Sequence, residues 1–412
     1  MTSDPATAYV WIWLPDALEP VVCGRLDDAD GMITFTYARS YLEQVADAVS
    51  IYGPELPLQR GQQRAEVGTR LPLCIDDSMP DAWGRQVVNH RLGSPTASFG
   101  ELTYLLESGS DRIGALDFQH SSGEYVARAI DHPGLEDLAE AARRMQSGEE
   151  LGPQLEAALL HGSSVGGARP KALVVDGSRR MIAKFSSNTD LYPVVQGEFV
   201  AMALAARCGL DVAPVELRHT AGRHTLLVER FDRQASGARR RVVSALTVLG
   251  LDPFPGGRYA TYVDLADRIR ADFVRPDETL HELFGRISIN ILAGNTDDHG
   301  RNHAAFVGDM LELTPTYDIC PQARTGEVAA QAMAFTRPDD VRPGDRDARI
   351  APLIDAAHEY HLDRNTAREI VDHQIEVIHA AWNEVCDLAE LTTPQREAFM
   401  GTQFLNRYAL AD

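Results

Sequence analysis

The spacing of apolar positions divides this 412-residue chain into a strand-like front and a helical back. Residues 8–14, 20–26 and 32–37 alternate bulky and polar side chains as short, half-buried strands do, with Trp11, Trp13, Ile33 and Phe35 on the bulky positions. The Asp-rich stretch Asp27–Gly31 is the expected turn between the last two. From Gly134 to His161 the period lengthens to that of a helix, with Leu138, Ala142 and Met145 on one stripe and Leu155 and Leu159 on the next. Ala172–Val175 and Met181–Phe185 predict a hairpin turned at Asp176-Gly177-Ser178. A helix is expected over Gly197–Cys208, with Phe199, Met202, Ala203 and Ala206 on one face and Gly209 as its stop. Thr225–Glu229 reads as a further strand.

Beyond about residue 240 strand patterns almost vanish. Thr279–Leu292 places Leu280, Leu283, Phe284, Ile287 and Ile291 on one helical stripe. Residues 350–361, 365–389 and 394–408 repeat that period, the last with Thr393 as cap and Pro394 at its first position. One small hairpin interrupts the series, Ala304–Val307 with Leu311–Leu313, turned at Gly308-Asp309. Between the halves, 234–245 is polar and reads as a loose linker, and its Arg239–Arg241 run as solvated charge rather than a contact to DNA or an acidic partner.

Composition narrows the function classes. Thirty-nine basic residues against 60 acidic ones leave a net charge of −21, which excludes broad, non-specific binding to a phosphate backbone. Five cysteines (Cys23, Cys74, Cys208, Cys320, Cys386) are scattered without C-x-x-C pairing, the pattern of neither a disulfide framework nor a zinc ribbon. Residues 1–8 carry no basic side chain and no run of eighteen apolar residues exists, so the expectation is a soluble, cytoplasmic protein with neither signal peptide nor membrane span. Only two of the basic residues are lysines, Lys171 and Lys184. Either that is chance, or those positions require a compact ammonium in place of a planar guanidinium.

Several stretches carry candidate chemistry. Gly162, Gly166 and Gly167 would let a backbone approach an anion, or form an ordinary flexible turn. A Walker A loop would need Gly-Lys leading into a helix, whereas Gly167 is followed by Ala168 and then a strand. Lys184 sits among apolar residues on a strand, as the phosphate-holding lysine of protein kinases does, with Glu198 on the next helix as a candidate supporting carboxylate. It could equally be an edge-strand lysine whose head reaches water. Asp297 to Asn302 has the D-x-x-x-x-N offset of a kinase base and its metal-binding asparagine, and Asp318 follows the next hairpin where a second metal aspartate belongs. A polar loop with a capping Asp reads the same way. Asp297, Asp298, His299 and His303 also suggest a transition-metal site, but Gly300 and the missing Glu argue against a zincin. His358 and His361 read as a solvated pair. The order of these parts, ending the strand half at Val228–Phe231 where a hinge would read adenine, is that of a two-lobed phosphotransferase.

These motifs resemble the HipA family, serine/threonine kinases that are the toxin half of bacterial type II toxin–antitoxin pairs. The resemblance rests on Ser164-Val-Gly-Gly-Ala-Arg-Pro-Lys171, Ile182-Ala-Lys184, Val228-Glu-Arg-Phe-Asp-Arg233, Asn295-Thr-Asp-Asp-His-Gly-Arg-Asn302 and Tyr317-Asp-Ile319. Phe35-Thr-Tyr37, Pro80-Asp-Ala-Trp-Gly-Arg85 and Asp111-Arg-Ile-Gly-Ala-Leu116 resemble the family's N-terminal subdomain. The family implies an α/β (α+β), bilobal, protein-kinase-like fold with an extra N-terminal subdomain over 1–133. The nucleotide-binding remainder of the strand-rich N-lobe would span 134–240 and a helical C-lobe 241–412.

It also implies the roles. Asp297 would be the catalytic base, Asn302 and Asp318 ligands of Mg²⁺, and Lys184 the holder of the ATP phosphates. Val165, Gly166, Gly167, Ala168 and Arg169 would cover the phosphates with Lys171, both lysines facing one anion. Glu229 and Phe231 would frame the adenine, with His299 nearby. Ser164, or Ser163 beside it, would be autophosphorylated. A small DNA-binding, helix-turn-helix antitoxin and a protein substrate such as an aminoacyl-tRNA synthetase are the implied partners, with DNA reached only through the antitoxin and no membrane involved. Arg169-Pro170 stands where some relatives carry Gln-Glu, and Arg301 where Lys is common. A catalytically silent, antitoxin-docking co-repressor and a kinase with a small-molecule acceptor remain the alternatives.

Overall fold

The computed structural model describes residues 4–29, 31–65, 69–128, 133–162, 169–187, 189–253, 256–324, 326, 328–338 and 344–411. The chain divides into two compact units, Met1–Asn188 with His219–Val243, and Thr189–Arg218 with Ser244–Asp412. Among the described residues no helix is long and apolar enough to cross a membrane.

The first unit opens with β1 (Thr7–Ile12), β2 (Val21–Ala29) and β3 (Met32–Tyr37), the three strands that the alternation predicts. After α1 (Arg39–Gln44), β4 (Gln62–Arg64), α2 (Leu73–Asp76), α3 (Ala82–Arg91) and α4 (Glu101–Glu107), β5 (Leu116–Gln119) completes a sheet ordered β4-β3-β2-β1-β5. Asp27 and Asp28 differ from expectation: they pair with Thr34 and Ile33 as rungs of β2 rather than forming the turn. The buried Leu26–Phe35 rung sets the register, and pairing propagates past it into polar positions.

Next come α5 (Leu135–Gln146) and α6 (Pro153–Gly162), then the hairpin of β6 (Lys171–Asp176) and β7 (Arg179–Phe185). Gly177, first of its two turn residues, takes φ +61°, which a residue with a Cβ adopts only at a cost. One face of the hairpin gives Ala172, Met181, Ala183 and Phe185 to a core shared with Trp83, Leu138 and Leu159. The chain then runs through α7 (Val194–Arg207) of the second unit and β8 (Val215–Thr220), at whose end it returns to the first. There β9 (Arg223–Glu229) pairs with β7 from Phe185–Thr225 to Met181–Glu229. The sequence pattern does not reveal β8, because Glu216, Arg218 and His219 give it the look of a loop.

The stretch after β9 is braced, not loose. Buried Asp232 accepts hydrogen bonds from Arg230 Nη2 (2.8 Å), Arg233 Nη1 (2.7 Å) and the Gly114 backbone N–H (2.7 Å). Arg233 also donates to Asp111 at 2.6 Å, and a second buried group joins Arg112 and Arg128 to Asp117. The arginine run turns inward as well. The Arg239 guanidinium lies 3.4 Å from the centre of the Trp13 ring, and Arg241 donates to the Ser50 carbonyl. Partners more than a hundred residues upstream cannot be read from local composition.

In the second unit α7 is buried from Val194 to Ala205, begins three residues before the expected start, and leaves Ala206 exposed. Gly197 lets it approach the Phe399 ring, which an added Cβ would meet at 3.0 Å. Then follow β10 (Val242–Ser244), α8 (Ala245–Leu249), α9 (Tyr262–Asp272), α10 (Pro276–Leu292), the hairpin β11 (Ala304–Val307) and β12 (Leu311–Leu313), α11 (Ile350–Asp355), α12 (Arg364–Leu388) and α13 (Thr393–Phe399). The five-residue stripe of α10 is buried throughout, as its period predicts. The cap of α13 is Thr392, not Thr393, with its N–H on Gln395 Oε1. That helix stops at Phe399 rather than near 408, where Gly401 takes φ +81°. His361 is not merely solvated: its Nδ1 lies 2.7 Å from Asp277 Oδ1.

Candidate active site

In the second unit the chain leaves α10 through Gly294, at φ +70°, where a Cβ would sit 2.7 Å from the Gln403 carbonyl oxygen. Only glycine fits that approach. Asn295, buried, donates to Asn290 Oδ1 (2.8 Å) and to the Asp318 carbonyl (3.4 Å), and its Oδ1 receives the Asp297 N–H (3.3 Å). One asparagine thus ties together the two segments that carry the candidate aspartates.

Asp298 holds the loop from within. Its Oδ2 is met by Tyr262 Oη of α9 (2.6 Å), Asn290 Nδ2 of α10 (2.8 Å) and His303 Nε2 (2.9 Å). Each bond balances part of the cost of burying this carboxylate. With Asp298 anchored inward, its neighbour Asp297 is exposed. Asn302 N–H closes a turn on the His299 carbonyl (2.8 Å), and its Nδ2 donates to the Asp297 carbonyl (3.3 Å). That directs its Oδ1 away from the Asp297 carbonyl. Asp318, after the β11–β12 hairpin, adopts φ +62°.

Although Asp297 is exposed as a residue, the loop partly shields its carboxyl from solvent, and this raises it above its ordinary value; His299 offsets part of the rise, while the negative charges of Asp318 and Asp298 add to it. The Asp297 and Asp318 carboxylates, whose charges repel, and the Asn302 amide offer hard oxygen donors, the donor type suited to a divalent cation such as Mg²⁺. The histidines of the rival transition-metal reading serve the loop itself: His303 is on Asp298, and His299 Nδ1 accepts the Arg301 N–H at 3.3 Å. Among the described residues no group of three His, Cys, Asp or Glu side chains is placed to hold a metal.

The remaining candidates fall in the first unit, except Glu198, which is buried on α7 of the second. Lys171 and Lys184 are directly opposite in the β6–β7 register, so both side chains leave the same face of the hairpin, away from Ala172 and Ala183. Lys184 is half-buried, and Lys171 is buried with its Nζ 3.1 Å from Asp81 Oδ2. The expectation that both ammonium groups face one anion therefore needs a second anion, a carboxylate of the protein. Glu229 ends β9 and Phe231 follows it, both half-buried, next to the Arg230–Asp232 brace. Arg169 precedes β6, whereas Ser163, Ser164, Val165, Gly166, Gly167 and Ala168 lie outside the described residues.

Sequence reasoning missed the supporting roles of Asn290, Asn295, Asp298, Asp81 and Trp83. The resemblance did single out the Pro80–Arg85 motif, but nothing local assigns it a task.

Known proteins are similar to this chain along most of its length. Residues 163–382 match the family described as HipA-like C-terminal domain, and residues 17–119 match the HipA N-terminal domain. A Sinorhizobium fredii protein, Y4mE, whose name marks it a candidate kinase, is 26% identical over 395 residues, covering 88% of this chain and 89% of its own. The serine/threonine-protein kinase toxin HipA of Shewanella oneidensis is 28% identical over 187 residues, 38% of this chain and 42% of that protein. A solved Shewanella oneidensis complex of HipA, HipB and operator DNA contains a chain of similar fold, with a TM-score of 0.71 at 20% identity, covering 97% of this chain and 96% of that one.

Proposed function

Because the chain belongs to the HipA family, we propose that it is a serine/threonine protein kinase that transfers phosphate from ATP, with Mg²⁺, to a protein hydroxyl. The observation that carries this reading is the loop in which exposed Asp297, its carbonyl held by Asn302 and its carboxylate near the charge of Asp318, rests on a buried Asp298 and Asn295 scaffold. Magnesium, when bound, neutralises charge on the phosphates, and Asn302 and Asp318 are the residues that would hold it. Asp297 orients the acceptor hydroxyl and takes its proton. Lys184 and Lys171 place positive charge on one face of the hairpin that follows the glycine-rich segment in sequence, while Glu229 and Phe231 frame the adenine and His299 stays close to Asp297. Glu198 is the supporting carboxylate of this reading, and Ser164, or Ser163, the residue that is autophosphorylated.

The wider role follows from the relatives. The name of the Shewanella oneidensis relative is that of a toxin, and the similar solved chain is bound to HipB and operator DNA. On that ground the protein is a cytoplasmic toxin, restrained by a small antitoxin through which it reaches DNA. An aminoacyl-tRNA synthetase is the first substrate to try. The test is transfer from labelled ATP, with and without host lysate. Asp297→Asn is expected to bind ATP normally and to lose about 10²–10⁴-fold in transfer. Wild-type transfer by that variant would overturn the assignment.

A further inference from the structure

The Pro80–Arg85 motif has no part in the loop of Asp297, yet two of its side chains converge on one residue. Asp81 caps α3: one carboxylate oxygen accepts the Gly84 N–H at 2.9 Å, and the other lies 3.1 Å from Lys171 Nζ. Two residues on, Trp83 donates its indole N–H to the Lys171 carbonyl at 3.1 Å, while its ring packs with Ala172 and Ala183. Lys171 is the first residue of β6, where the chain leaves the glycine-rich segment, and the bond from Phe185 N–H to the Pro170 carbonyl (3.0 Å) closes the same corner. The ion pair is largely dehydrated, with side-chain exposures of 3% for Lys171 and 16% for Asp81. A buried ammonium is costly without an anionic partner, so the start of α3 sets where this one sits. An ammonium has three N–H donors, and pairing with Asp81 does not by itself exclude a phosphate oxygen.

We propose that Asp81 and Trp83 are positioning residues for the nucleotide phosphates: together they clamp both ends of Lys171 and so fix where its ammonium sits. The proposal rests on the reading that the two lysines serve ATP. It makes the N-terminal subdomain part of the nucleotide site, through one helix start ninety residues upstream of the lysine it holds.

The test uses the full chain and titration calorimetry with Mg²⁺-ATP and, separately, with adenosine. Asp81→Asn keeps an acceptor for the Gly84 N–H and removes the charge; Trp83→Phe keeps an aromatic ring in the core and removes the indole N–H with the five-membered part of the ring. Each variant is expected to bind ATP roughly tenfold more weakly, while adenosine affinity is unchanged. A merely structural role would weaken both ligands together, and that result overturns the clamp. So does wild-type ATP affinity in both variants while Lys184→Ala binds ATP poorly, in which case the nucleotide reading survives. If Lys184→Ala and Lys171→Met also bind ATP as the wild type does, the nucleotide reading has failed and the clamp falls with it.

Discussion

At Asp318 the backbone takes a left-handed conformation, φ +62°, that costs a non-glycine residue about 1 kcal/mol. The main-chain carbonyl of Asp318 itself accepts from Asn295 Nδ2, so the position is imposed by the loop rather than chosen by the side chain. Asp318→Gly should relieve that conformation, offset by greater chain entropy when unfolded, and leave the melting temperature of the ligand-free protein within a few degrees of wild type. Phosphate transfer should be lost with the carboxylate. A variant that melts far lower, or that retains transfer, would contradict this account. Spacing alone singled out Asp297, Asn302 and Asp318 as candidates, the first two on one loop and the third beyond the next hairpin, and the fold brings the charge of Asp318 near Asp297. Asp298 was legible only as a rival metal ligand. Its actual partners, Tyr262, Asn290 and His303, come from two helices and a strand entry, and no local pattern announces that meeting.

Elements with a clean period were read almost to the residue, as in α10 and the β11–β12 hairpin. Some of those missed were short or polar, such as β8 with three charged or ionisable residues in six and α2 with only four residues, but the ten-residue α3 and the eleven-residue α9 were missed as well. The segment after β9 was misread for a different reason. Its Arg239–Arg241 run looks solvated in sequence, but Arg239 lies over the Trp13 ring and Arg241 donates to the Ser50 carbonyl, while upstream Arg230 and Arg233 satisfy Asp111 and Asp232, and Asp232 also holds the Gly114 N–H. Breaking a buried pair strands the remaining charge, so Asp232→Ala should destabilise the first unit by about 3–5 kcal/mol in urea unfolding. A loss below about 1 kcal/mol, the value of a surface pair, would mean that the brace carries little weight.

Across the whole molecule, buried carboxylates respond to pH in two directions. Nearby arginines hold Asp111, Asp117 and Asp232 below the usual range, against the burial that would raise them. Their contribution is fully present above the unfolded value of about 4 and is lost as pH falls through the lower folded values. Glu55 and Asp81 are raised by burial, more than their hydrogen bonds and, for Asp81, the Lys171 charge lower them. They cost stability at neutral pH, and the folded state recovers it by taking up protons as pH falls through their raised values. The net charge of −21 also relaxes as pH approaches the isoelectric point near 5.0. Melting temperature should therefore hold or rise from pH 7 to about 5 and fall steeply below about 4. A steady decline from neutrality downward would show that the raised groups and the charge repulsion contribute nothing.

The pair of lysines facing each other across β6 and β7 has a practical consequence. With only two ε-amines in the chain, reductive methylation with carbon-13 formaldehyde would install one reporter on Lys171 and one on Lys184, beside the signal of the terminal α-amine. The two lysine resonances would need no assignment beyond a single mutant. The dehydrated amine should label far more slowly than its half-buried neighbour. Titrating nucleotide into that sample would follow both walls of the hairpin at once, in a protein whose arginine-rich surface stays spectroscopically silent.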